Sequence, residues 1–139
     1  METTQSLAGK FAENLTQLQP EGAVVNWDIR GDLGDMQLYD RTLIAIVSFT
    51  TSTEEIYGNR TQRLSGTITG QISAEQLTND DINMALDELQ EVTFEYFGGL
   101  RYTEVGDAVV LQATCDTILT EPKQGYYNFY IPLDVVVQF

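Results

Sequence analysis

Histidine is absent from this 139-residue chain, and cysteine occurs once, at Cys115. Without histidine there is no Ser-His-Asp or Cys-His arrangement and no common zinc site. One cysteine excludes an internal disulfide and fits synthesis in a reducing compartment. Basic residues are scarce: seven Lys and Arg stand against 21 Asp and Glu, a formal net charge of −14. Such a surface repels phosphate backbones, which argues against sequence-specific nucleic-acid binding. No apolar run approaches the length of a membrane span, so no membrane is expected among the partners. The opening methionine is followed by neither a basic nor an apolar leader region, and no signal peptide is expected. Asn14-Leu15-Thr16 and Asn59-Arg60-Thr61 match the glycosylation pattern, which without secretion has no use. A phosphate-cradling glycine loop is also missing.

What is present reads as one α+β domain spanning residues 1–139, with near-normal apolar content and no internal repeat. Leu7, Phe11, Leu15 and Leu18 fall at helical spacing and predict a helix over 3–18, ended by Pro20 and Gly22. A short strand is predicted at 23–29 and a Gly- and Asp-rich loop at 30–40. Residues 42–50 are apolar on both faces, as in a central strand, and 63–72 alternate cleanly. These two predict a long antiparallel hairpin whose tip, 51–62, carries Glu54, Glu55, Tyr57 and Arg60, with Arg63 beside it. The second helix is bounded by Thr78 as N-cap and by Gly98-Gly99, with Ile82, Ala85, Leu86, Leu89 and Val92 as its apolar stripe. A strand over 108–120, apolar through Val109, Leu111, Ala113, Cys115 and Leu119, leads through a polar turn, "EPKQG", to a final strand. In "GYYNFYIPLDVVVQF" every odd position from Tyr127 to Phe139 is apolar, which places one face of that strand on a core. Its pairing, within the subunit or with a neighbour, is open at this level. The predicted order is α-β-β-β-α-β-β: a mostly antiparallel sheet packed by two helices.

Candidate chemistry is sparse. Asp28, Asp32 and Asp35 suggest a calcium loop, but Arg30 sits where an oxygen ligand belongs and no glutamate closes the pattern. Glu54-Glu55 and Asp80-Asp81 read as a solvated hairpin tip and a helix N-terminus. Glu88, Glu91 and Glu95 read as the exposed face of the second helix, and Cys115 as a buried inert thiol. No catalytic residue, cofactor or metal is expected.

The order of elements resembles the tail terminator (tail completion) proteins of long-tailed bacteriophages. The resemblance rests on the N-terminal helix entering a short strand and on "TLIAIVSFTT" returning through "RLSGTITGQIS" to the helix "NDDINMALDELQEV". It extends to the closing "LQATCDTILTEPKQGYYNFYIPLDVVVQF". It spans most of the chain but departs at the entry to the first strand, where the family's Pro-rich segment is reduced to Pro20 and Gly22. The resemblance implies a structural virion protein of the neck region, made in the host cytoplasm. It would form a homohexameric ring that caps the tail tube, meets the tube protein on one side and offers a docking surface for the head-completion protein. The tip residues Glu54, Glu55, Tyr57, Arg60 and Arg63 would then contact a neighbouring subunit. DNA would pass the ring unbound, past lumen acids drawn either from Asp32 and Asp35 or from Glu88, Glu91 and Glu95. Another head-tail connector belongs to the same class. A small acidic module mimicking nucleic acid, or a small-molecule-binding domain, belongs to different ones.

Overall fold

The described residues form two helices and seven strands, in the order α1 (Thr4–Gln17), β1 (Asn26–Arg30), β2 (Thr42–Ile56), β3 (Thr61–Ser73), α2 (Asn79–Gly98), β4 (Thr103–Val105), β5 (Ala108–Cys115), β6 (Leu119–Lys123) and β7 (Tyr126–Gln138). The computed structural model describes residues 4–32, 38, 41–56, 61–75 and 77–139, with the backbone alone at 4–5 and 51–56. All seven strands form one curled sheet in the order β1-β2-β3-β7-β5-β4, with β6 alongside β7. Only β1 and β2 run parallel. This is the α+β arrangement that the sequence predicts.

The sheet is built outward from β3 and β7, the two strands with the cleanest alternation. Thirteen consecutive residue pairs, from Thr61↔Gln138 to Ser73↔Tyr126, join them without a register shift. The terminal strand is therefore interior to the subunit's own sheet. Its other edge is taken by β6 over 126–130 and by β5 over 133–138. The inner side of these strands carries Leu64, Ile68 and Ile72 from β3 and Ile131, Leu133, Val135 and Val137 from β7, all buried. Burial of each such side chain is worth roughly 1.5–3 kcal/mol.

Both helices cover that inner face. α1 packs on β1 and β2, and α2 on β5. Leu7, Ala8, Phe11, Ala12 and Leu15 form the buried stripe of α1. Phe11 joins the layers: its ring meets Phe49 of β2 at 6.1 Å and Tyr96 and Phe97 of α2 at 6.2 and 5.2 Å, all edge to face. Leu18, expected on this stripe, lies past the helix end and is exposed. The start of α2 follows its sequence signature. Thr78 Oγ1 accepts from the Asp81 N–H and Asp81 accepts from the Thr78 N–H, a reciprocal capping box.

Three boundaries differ from the sequence reading. The hairpin strands continue past residue 50, because register shifts between Phe49 and Thr51 and between Thr53 and Ile56 absorb extra residues without ending the ladder. In β5 a shift between Val110 and Gln112 flips the alternation. Ala108, Val110 and Ala113 are buried, whereas Val109 and Leu111, expected inside, are half-buried. The polar "EPKQG" is mostly strand: Glu121, Pro122 and Lys123 pair with β7, and the turn shrinks to Gln124-Gly125, with Gly125 at φ 84°. Leu119, expected on the apolar face, is exposed on this arm.

Candidate functional site

The hairpin tip is one candidate interface. Glu54 and Glu55 lie in β2, and their side chains, with Tyr57 and Arg60, fall outside the described residues. Arg63 is described. Clean alternation puts it on the outer face of β3, diagonal to Asp134 on β7, whose own alternation points the same way. The guanidinium grips that carboxylate from two nitrogens, Nε at 3.0 and 3.2 Å and Nη2 at 2.5 Å. The hydrogen bond and charge of Asp134 raise the arginine's pKa further. Sequence reasoning singled out Arg63 but missed Asp134, since the partner is 71 residues away and only the register brings the two together.

The acidic loop shows the same economy. Arg30 Nε and Nη2 donate to the two oxygens of Asp28 at 2.9 and 3.1 Å, so the first carboxylate of the calcium-like stretch is held by the residue that breaks the pattern. Asp32 is exposed, and Asp35 lies outside the described residues. Among the described residues no group of three or more potential ligands could hold a metal ion.

On α2 the exposed acids are Asp80, Asp87, Glu91 and Glu95. Glu88, expected with Glu91 and Glu95, is half-buried, and its Oε2 is enclosed without a hydrogen-bond partner. The cause is helix geometry: steps of four from Asp87 reach Glu91 and Glu95, whereas Glu88 is turned toward the flank of the buried Ala85–Leu89 stripe. No lysine or arginine occurs anywhere in α2. Asp87, Glu91 and Glu95 are thus like-charged neighbours one turn apart, each pair unfavourable by roughly 0.2–0.5 kcal/mol. Glu91→Lys converts both repulsions to attractions and should raise thermal stability by about 1–2 kcal/mol at low ionic strength. Differential scanning calorimetry at low and high salt checks this; a gain that persists undiminished at high salt would have some other origin.

Cys115 is half-buried at the end of β5. Burial is the largest influence on its thiol and pushes the pKa from 9.0 to about 11; a hydrogen bond with Thr93 lowers it and the charge of Asp116 raises it. The thiol should resist a disulfide reagent at pH 8 in the native state and react fully in denaturant. Because the folded pKa exceeds the unfolded one, this group costs no stability below pH 9, and its contribution is lost as pH rises from 9 to about 11. A Cys115→Ser variant should show a flatter stability profile across that window. The segment that follows is clamped by α2: Gln90 Oε1 accepts from the Ile118 N–H at 2.9 Å, and the Asp116 N–H donates to Pro132 O.

Asn14, part of a glycosylation pattern, donates from Nδ2 to Tyr96 Oη at 2.8 Å and ties α1 to α2. No helix among the described residues is long and apolar enough to cross a membrane. The chain matches no protein-family model and no curated protein.

Proposed function

We propose that this chain is a ring-forming structural subunit of a phage neck, of the tail terminator type, that ends growth of the tail tube and presents a surface for the head. The observation that supports it is architectural. A single curled sheet is covered by helices on one face only, and a hairpin of 15 and 13 residues runs along it. A two-layer unit whose second sheet face carries no helix among the described residues is suited to completing itself against neighbours. Light scattering tests the assembly, with six times the 15.6 kDa subunit mass expected. The functional test is addition of the chain to polymerising tail tubes followed by electron microscopy. Tubes should stop growing with a ring at one end; tubes that lengthen as before, with no ring attached, would sink the reading.

One observation favours the nucleic-acid mimic instead: the cation-free ridge Asp87, Glu91 and Glu95. On such a ridge the Cβ atoms of neighbouring acids lie about 5–6 Å apart. On that reading the chain displaces DNA from a nonspecific DNA-binding protein and Glu91→Lys does not. No displacement by the unmodified chain removes the alternative.

A further inference from the structure

The face of the sheet opposite the helices has an unusual charge distribution. Across β1, β2, β3, β7 and β6, each charged side chain described on that face has an opposite partner on the same face. Asp28 holds Arg30 at 2.9 Å, Asp134 holds Arg63 at 2.5 Å and Glu121 holds Lys123 at 2.6 Å. Three of the 21 acids and three of the seven cations cancel here, so the other 18 acids and four cations carry the whole −14. Unpaired acids begin at the far end, with Glu104 on β4 and Asp116 after β5, both exposed. Between the ion pairs the surface is hydroxyl, amide and apolar: Thr67, Thr69 and Gln71, flanked by Ile44, Ile46 and Tyr130. Leu119 at its rim is 52% exposed and Tyr130 is 38% exposed. These two border an open groove of about 470 Å³ that also reaches Thr69 and Asn128.

We propose that this charge-balanced face receives a second copy of the chain, the adjoining subunit of the assembly inferred above; the choice of occupant rests on that reading. Two copies at −14 repel each other, and contact costs least over the described part of this face, where each carboxylate already has its ion-pair partner. Ion pairs already formed within one subunit enter an interface with their partners, whereas the ridge of α2 would enter it bare. The area is adequate. Strand spacing of about 4.8 Å and rise of about 3.4 Å per residue give this part of the sheet roughly 800 Å², the usual share of one partner in a stable interface. Contact is through the face rather than the edge. In the two-residue hairpin, 123, 121 and 119 bond to β7, so Pro122 presents its missing N–H outward and blunts the free edge of β6.

Thr69→Glu and Tyr130→Glu test the proposal. The two residues are cross-strand partners near the middle of the face, and each substitution adds an unpaired carboxylate there without touching the core. Glu91→Lys on α2 is the control. Sedimentation across a concentration series should show the unmodified chain and Glu91→Lys associating, and each face variant needing at least about tenfold higher concentration. Added salt should strengthen association of the unmodified chain, by screening net repulsion while leaving a neutral contact intact. If Tyr130→Glu fails to fold, Thr69→Glu carries the test alone. Variants that associate like the unmodified chain overturn this surface and leave the ring standing. A chain that stays monomeric at every concentration and salt overturns self-docking on this face, together with any ring that assembles without the tube.

Discussion

Phe11→Ala should lower the unfolding free energy by about 3–5 kcal/mol, the usual cost of removing a fully enclosed phenyl ring. The ring is 0% exposed and meets Phe49 of β2 and both residues of the Tyr96-Phe97 pair. Against a typical total of roughly 5–15 kcal/mol the loss is a large share, and α1 would lose its anchor to α2. Urea unfolding followed by tryptophan fluorescence is a suitable readout, since Trp27 lies on β1, beneath α1. The midpoint should fall while the slope is kept. A loss under about 1 kcal/mol would mean that the helices are held by something other than this aromatic cluster.

Gly70→Ala should be nearly as damaging, by about 3 kcal/mol or more, although it adds one methyl group. Gly70 lies on the inner side of β3, opposite Ala45 of β2 and Phe129 of β7. A methyl there would fall onto the carbonyl oxygen of Ile44 and within 2.7 Å of Phe129 Cζ and 2.8 Å of Ala45 Cα. Two of these three atoms are backbone, so relief requires moving a strand in the middle of the sheet. Gly98→Ala is the informative contrast. At the end of α2 an added methyl meets nothing within 4 Å, and the exchange should stabilise by up to about 1 kcal/mol. Equal effects at the two positions would show that the close approach at Gly70 relaxes freely.

The regular parts of the molecule were legible because local rules act on them without competition. Period two in β3 and β7, apolar residues at helical spacing in α1 and the Thr78–Asp81 box each specify a conformation from neighbouring residues alone. Bulges defeat that reasoning. One extra residue near Leu111 reverses which of Val109 and Val110 faces the core, and composition carries no mark of it. Pro122 misleads differently: proline signals a turn from sequence, yet an edge strand tolerates it where the N–H would have faced water. The surface was less legible still. Arg63 looked available to a neighbour until the register set it beside Asp134, and Glu88 looked solvated until the helix phase turned it inward.

The unbroken β3–β7 ladder also dictates the order in which the molecule can be made. Its partners are distant in the chain, 53 positions apart from Ser73 to Tyr126 and 77 apart from Thr61 to Gln138. Closing loops of that length costs entropy before any contact rewards it, whereas β2–β3 and β6–β7 are joined by short connections and can zip locally. The hairpin β2–β3 is expected to form early and wait, with the β3 edge unsatisfied and Leu64, Ile68 and Ile72 only partly covered, until β7 has been synthesised and threads between β3 and the β5–β6 arm. During that interval the exposed strand is the chain's main aggregation hazard. A high negative charge keeps such half-made copies apart, so the acidity of the molecule serves its assembly line before it serves any finished structure.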